Sequence, residues 1–415
     1  MNRLQVPARV AALVLGCLVP AASAVSADRK GSEHWVATWA TSPQLTEESN
    51  LPPAPGLADH TLRQVVHVCI GGKTLRVRFS NAFGRTALTL QSARIARSAG
   101  GGAIQPASDR ALTFSGRTSV TIPEGALVVS DPLDFDLAPL SQVAITVSLK
   151  KVPAEVTGHP GSRTTSYLQP GDAASAPDLS DSVRVDHWYY VNGIDVLADR
   201  SARAVAVIGD SITDGRGSTT NGNDRWPDNL ARRLAADPRT AKVAVVNHGI
   251  GGNRLLRDGL GPNALARLDR DVLALPGVRW LIVLEGINDI GTRVAARQKG
   301  EPAATADDII AAYEQLIARA HARDVRVYGA TVLPFEGSAN YFTPDGEADR
   351  QKVNAWIRDS GRFDAVIDFD AATRDPQDPS RLAAAVDGGD HLHPSAAGYR
   401  VMADAIDLAL FVDGR

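Results

Sequence analysis

Apolar positions recur along this chain with two different rhythms. From about residue 33 to 190 they come as short alternating or continuous runs broken by turns, with weak helical periodicity. The stretch TLRQVVHVCIGGKTLRVRFSNAFG (61–84) holds two such runs around Gly71-Gly72, which predicts a two-residue hairpin. Further β-like runs stand at ALTLQSARIA, SVTIP, GALVVS and QVAITVSLKKV. Together they predict a β-rich N-terminal domain over 25–195, a β-sandwich of jelly-roll type.

From about residue 200 the rhythm changes to strand, helix, strand. Strands are expected at 203–208, 242–246, 279–285, 325–331 and 365–369. Helices are expected near 226–236, 262–274, 306–322 and 346–360, with a last one after Pro394. Thr305 and Asp308 have the spacing of a capping box, and Ile309, Ile310, Tyr313, Leu316 and Ile317 follow on one helix face. Continuous apolar strands alternating with helices predict an α/β domain over 196–415, its parallel sheet covered on both faces. Such sheets bind ligands beyond the carboxyl ends of their strands.

Composition changes this picture in few places. With 415 residues the chain exceeds one ordinary core, and its net charge of −3 with no long basic run argues against a nucleic-acid partner. Arg3 and Arg9, the short apolar run VAALVLGCLVP (10–20) and the small residues ASA (22–24) read as a cleaved export signal over 1–24. Secreted or periplasmic placement follows, with no integral membrane segment after cleavage. Cys17 within VLGC leaves a lipoprotein as the lesser alternative. Cleavage behind Ala24 leaves only Cys69, read as a small buried hydrophobe, so no internal disulfide is expected. Nothing in the sequence fixes an oligomeric state.

The candidate chemistry lies where the expected strands end. Strand 203–208 ends in Gly209-Asp210-Ser211 and strand 242–246 in NHGIGGN (247–253). Strand 279–285 ends in GIND (286–289), and DHLHPSAAGY (390–399) opens the final helix. A serine hydroxyl needs a base to take its proton and a third group to orient that base. Ser211, His393 and Asp390 can supply those three roles. His393, just before Pro394, suits a cap position at the start of the last helix. An oxyanion needs donors, for which the Ser211 N–H, the Gly252 N–H and the Asn288 amide are candidates. Asp210 and Asp289 are read as turn and loop residues. Trp226 and Arg254 are candidates for shaping the pocket.

In order, GDS (209–211), the glycine of NHGIGGN, GIND and DHLHP resemble the blocks of the SGNH (GDSL) hydrolases over roughly residues 200–411. The resemblance implies a flavodoxin-like three-layer α/β/α fold and ester hydrolysis without metal or organic cofactor. By motif it makes Ser211 the nucleophile, Gly252 and Asn288 oxyanion donors, and Asp390 and His393 the acid and base. HWVATWATSPQ (34–44), RVRFSNAFG (76–84) and the spacing of 209–234 are similar to the acetyl xylan esterase-like group, which implies a carbohydrate ester as substrate.

Rival readings are weaker on spacing. GIGGN lacks the third glycine of a dinucleotide fingerprint, since that position is Arg254. His391 and His393 are two residues apart, and His248 is the one other histidine near this rim, a thin ligand set for a catalytic zinc. His34, His60, His67, His159, His187 and His321 show no partner pattern and read as structural or exposed. Thr213 breaks a G-x-S-x-G elbow. The expected protein is an exported serine esterase acting on short acyl esters of a small molecule or polysaccharide. A lipase or arylesterase of broader acyl range is the alternative within the class. A carbohydrate-binding protein with a degenerate hydrolase half is the alternative outside it.

Overall fold

Alternation of buried and half-exposed side chains folds the first half into two main antiparallel sheets, beside a small third one in which Thr157–His159 pairs with Trp188–Tyr189 and Gln44–Leu45. The first has five strands, with Gly72–Ser80 between Val191–Asp199 and Leu133–Leu137. The second has eight, built on Gln142–Lys151 between His60–His67 and Leu88–Gly100. Leu75, Val77 and Phe79 from one and Leu62, Ile95, Ile145 and Val147 from the other are buried in a common core. β-Branched and aromatic residues suit such a pleated surface with one buried face. The computed structural model describes residues 33–412. The export signal expected over 1–24 therefore lies outside the described residues.

The hairpin expected at Gly71-Gly72 does not form. His60–His67 and Gly72–Ser80 lie in different sheets, and residues 68–71 cross between them. The amides of Cys69 and Ile70 donate to Thr38 Oγ1 at 3.2 and 2.9 Å. A Cβ on Gly71 would come within 2.3 Å of the Leu137 carbonyl oxygen. That glycine permits a close backbone approach, not a turn. Cys69 is buried and free, its thiol donates to the Val245 carbonyl at 3.0 Å, and burial pushes its pKa up to about 12.

Val191–Asp199 carries the β-rich region to Asp199, and the sheet of the α/β half begins a few residues later. Its strands are β1 (Arg203–Gly209), β2 (Val243–Gly249), β3 (Val278–Leu284), β4 (Arg326–Ala330) and β5 (Ala365–Ile367). All are parallel, in the order β2-β1-β3-β4-β5. Nearly every residue of β1 to β4 is buried, as strands covered on both faces require. The order reverses between β1 and β3, so the carboxyl ends of these strands flank the crevice where doubly wound sheets take their ligands.

Several helices around this sheet start at a capping side chain, among them those capped by Asp210, Asn263, Thr305, Thr343 and Ser395. Around the sheet stand α1 (Ser211–Asp214), α2 (Trp226–Ala236), α3 (Ala264–Leu268), α4 (Ile287–Gly291), α5 (Ala306–His321), α6 (Pro344–Asp359) and α7 (Ala396–Asp404). Thr305 and Asp308 form the expected capping box on α5, whose Ile309, Tyr313, Leu316 and Ile317 are buried. The helix expected over 262–274 runs as α3 and then widens to a π-turn at Asp269–Leu273. Strand β5 stops at Ile367 because Asp368 caps a short helix over Phe369–Thr373. Among the described residues no helix is long and apolar enough to cross a membrane.

From His34 onward the two halves share one compact unit and one buried core. The Ala37 N–H donates to the Pro276 carbonyl at 3.0 Å, and Val36 packs on Gly277, where a Cβ would come within 2.9 Å.

Candidate active site

Strand β1 delivers its last residue, Gly209, to the mouth of the crevice. A Cβ there would lie 2.1 Å from Thr213 Oγ1, so glycine lets α1 turn back tightly over the strand. The Asp210 carboxylate caps α1 by accepting the Ile212 N–H at 2.8 Å. That cap places Ser211 at the first position of α1, facing a cleft of 540 Å³.

The opposite wall comes from the loop before α7. Asp390 Oδ1 accepts the backbone N–H groups of Leu392 and His393 at 3.1 and 2.8 Å, curling the loop on itself. Oδ2 of the same carboxylate then meets His393 Nδ1 at 2.7 Å. Donation from Nδ1 leaves Nε2 as an acceptor, and it lies 2.8 Å from Ser211 Oγ. Residues 182 positions apart thus meet with hydroxyl, imidazole and carboxylate in line. Burial lowers the His393 pKa below the ordinary histidine value, opposed by Asp390 and assisted by Arg216 and Arg163. Burial pushes Asp390 upward, but hydrogen bonds from the His393 backbone and ring outweigh it and hold the carboxyl below its usual range.

His393 does not cap the last helix. Ser395 does, accepting the Gly398 N–H, while the His393 carbonyl accepts from Gly388 at 2.8 Å. With a bridge between Asp387 and Pro394, this bond anchors the loop from which the imidazole reaches the cleft.

The third wall carries donors. Gly252 adopts φ +71°, a conformation that favours glycine, and its Cβ position lies 3.0 Å from Leu260 Cδ1. Asn288 stands in α4, two residues past Gly286 at φ +111°. Its Nδ2 donates to the Asn253 carbonyl at 2.8 Å and its Oδ1 accepts from the Tyr341 hydroxyl at 2.9 Å. Both contacts fix the amide plane and leave one N–H unused. Among the described residues the Ser211 and Gly252 amides donate to no other group. All three residues line the same cleft. Such a set can bind a carbonyl oxygen that gains charge while Ser211 attacks its carbon.

Beneath these loops lies a charged layer that sequence reasoning missed. Arg267 of α3 is wholly buried and donates to the carbonyls of Gly209 and His248 at 3.1 and 2.6 Å. It also donates to Asn253 Oδ1 at 2.8 Å and Ser42 Oγ at 2.9 Å, tying together the ends of β1 and β2 and the oxyanion loop. Around it stand Asp210, Glu285 and Asp289. Burial raises Asp210 to about 7, with Asp289 and Asp214 adding repulsion. Burial, then the Asp210 charge, raises Glu285 well above its ordinary value, and burial brings Asp289 to about 6. Asp289 accepts the N–H groups of Leu255 and Leu256 at 2.8 and 3.2 Å, the loop role expected of it.

Two further residues reach the site from the β-rich half. His159, which has no partner pattern in the sequence, is buried with Nε2 2.9 Å from Asp214 Oδ1 of α1 and Nδ1 2.9 Å from the Ser42 carbonyl. Arg163 lines the cleft itself. Trp226 and Arg254, candidates for shaping the pocket, do not line it. Trp226 is fully buried edge-on to Phe369, and Arg254 turns to the Asp258 carbonyl. His391 pairs with Asp387 at 2.6 Å, and His248 is buried against Ser42 Oγ at 3.1 Å with its pKa pushed down to about 3, first by burial. Among the described residues no three His, Cys, Asp or Glu side chains gather as metal ligands.

Residues 207–401 match the GDSL-like Lipase/Acylhydrolase family. The α/β half is therefore a domain of that family, preceded by an additional β-rich region, and the chain is a carboxylic ester hydrolase. Curated proteins include no match to it. Among solved structures it is similar to a GDSL-like lipase from Bacteroides thetaiotaomicron VPI-5482, with 19% identity over 50% of this chain and 87% of that one, at a TM-score of 0.37. It is also similar to a variant of an acetyl xylan esterase from Geobacillus stearothermophilus (24% identity, 49% and 92% covered, TM-score 0.38). A carbohydrate acetylesterase from Sinorhizobium meliloti shows 16% identity over 49% of this chain and 95% of that one, with a TM-score of 0.38.

Proposed function

We propose that the protein is an exported serine esterase that removes short acyl groups, acetyl foremost, from carbohydrate. One observation carries the chemistry: Ser211 Oγ, His393 Nε2 and the Asp390 carboxylate stand in hydrogen-bonded line beside three converging donors. Ser211 Oγ attacks the ester carbon while His393 Nε2 takes its proton, and Asp390 stabilises the imidazolium. The carbonyl oxygen, now an oxyanion, accepts from Ser211 N–H, Gly252 N–H and the Asn288 amide. Collapse breaks the bond to the alcohol oxygen, which takes the proton from His393. Water, deprotonated by His393, then attacks the acyl-serine and releases the acid.

The cleft lining supports a short acyl group. Leu260, Leu392, Ala339 and Tyr341 are its apolar residues, set among glycines and polar side chains. A long acyl chain needs a continuous apolar wall to offset its desolvation. The export signal expected over 1–24 supports action outside the cytoplasm, where polysaccharides lie.

The test is hydrolysis of aryl esters by purified protein. Ser211→Ala is expected to lower kcat on 4-nitrophenyl acetate by about 10⁴- to 10⁶-fold. Turnover equal to the parent overturns the mechanism. Rates that rise from acetyl to octanoyl esters overturn the short-acyl reading and favour a lipase.

A further inference from the structure

We propose that the cleft is built for an ester whose non-reacting part carries a carboxylate, such as an acylated uronate, with Arg163 and Arg216 as its clamp. The inference rests on the esterase reading of Ser211 and adds the charge of the substrate.

The balance of charge on the cleft wall carries it. The carboxylates on this side of the cleft are engaged by histidines: the lining Asp390 holds His393, Asp387 holds the lining His391, and Asp214 behind Arg163 holds His159. The two lining guanidinium groups are not matched in this way. Arg216 is exposed, and among the described residues its side chain donates no hydrogen bond and joins no ion pair. Its backbone is nevertheless pinned, because its N–H donates to the Ser211 carbonyl at 2.9 Å and its carbonyl accepts from the Tyr399 hydroxyl at 2.5 Å. A cation is thus presented from a fixed point five residues after the nucleophile.

Arg163 approaches from the β-rich half. Its backbone is held at φ +52°, and its carbonyl accepts the Asn221 N–H at 2.8 Å. Among the described residues its Nε is buried without a partner, and its one ionic contact is 3.9 Å from Asp214, a carboxylate already bonded to His159. Both guanidinium groups oppose protonation of His393, behind the larger effect of burial, so both stand near the reacting imidazole. Planar forks match a carboxylate in two bonds, which suits arginine better than lysine for this role.

The test compares 4-acetoxybenzoate with the neutral 4-acetoxybenzamide, each rate divided by that ester's own hydroxide-catalysed rate. The parent protein is expected to favour the anion by about tenfold or more in kcat/KM at low salt, through charge-assisted hydrogen bonds. About 0.5 M salt should erode the preference at Arg216, which faces solvent. In R216Q, and separately in R163Q, the anion-to-neutral ratio is expected to fall toward one. Partial unfolding lowers both rates and leaves the ratio unmoved, so the ratio isolates recognition. Equal rates on the two esters, or a ratio unchanged in both variants, overturn the inference. Turnover of neither ester overturns the esterase reading, and this inference with it.

Discussion

Arg63 in the β-rich half and Arg267 in the α/β half are both wholly buried, and they are satisfied in opposite ways. Arg63 ends on neutral acceptors: Thr146 Oγ1 at 2.9 Å and the carbonyls of Gly102 and Ala176 at 2.7 Å each. It staples surface loops to the larger sheet. Arg267 ends on the strand ends beneath the cleft and has Asp271 and Glu285 within 3.3 and 3.5 Å. A fold needs no such crowding of acids, and the β-rich half avoids it. The difference teaches that the arginine under the cleft is set among acids and fixed dipoles at the carboxyl ends of β1 to β3, where a reaction would require them, whereas Arg63 serves packing alone.

Removing each arginine should separate the two roles. Arg267→Met removes the counter-charge beside Glu285 and Asp210, leaves Asp271 to Arg270 alone, and is expected to cost about 3–5 kcal/mol of stability. It should also cost most of the turnover of the molecules that remain folded, because Gly209, His248 and Asn253 lose a common tie. Arg63→Met leaves carbonyls unsatisfied and is expected to cost about 1–3 kcal/mol with turnover per folded molecule retained. Urea unfolding together with activity per folded molecule reads both numbers. Equal loss of turnover in the two variants would erase the contrast between the halves.

The sequence makes the α/β half legible and leaves its joins obscure. Continuous apolar runs mark β1 to β4 because strands buried on both faces have no polar register to confuse. Ser211 stands in a short block after β1, Asp390 and His393 in one before the last helix, and the structure brings them together. Gly71-Gly72 misleads because a glycine pair signals a tight turn and a close backbone approach equally well. Arg267, Glu285, His159 and Arg163 carry no local signal. Their partners lie up to 225 positions away, and no periodicity encodes a pairing across two regions. Pro394 points to His393 as the residue at a helix start, yet Ser395 has the stronger cap chemistry.

His159 is where the contrast between the halves can be sharpened at intermediate effect. It belongs to the β-rich half but bonds Asp214, the last residue of the helix that begins with Ser211. If the first half were an appended scaffold, His159→Gln would alter stability alone. The contact instead predicts that kcat on a neutral aryl acetate falls about tenfold with little change in KM, as α1 shifts against His393. His159→Asn, with a shorter reach, should fall further than the glutamine variant. Kinetic constants equal to the parent in both variants would return His159 to a packing role.

The smallest expected effect is a divergence between two pH profiles, and it concerns the α/β half alone. His393 must be neutral to accept the Ser211 proton, and burial sets its pKa below 6.5. The acidic limb of kcat/KM should therefore have its midpoint below that value. Stability should run the other way. Burial raises Asp210 to about 7 and Asp289 to about 6, so the folded protein keeps protons that the unfolded chain has released. Their contribution is fully present below the unfolded value near 3.8 and is lost as pH rises through 6 and 7. Their share of the urea midpoint should fall across that window while activity climbs, against the opposite contribution of His248, which burial holds down to about 3. Asp289→Asn should flatten the slope of stability against pH whatever it does to stability itself, and should leave the activity midpoint in place because Asp289 touches the oxyanion loop and not the imidazole. A stability slope unchanged by Asp289→Asn would mean that this carboxyl is ionised throughout, and that the charged layer under the cleft is neutralised by Arg267 without shared protons.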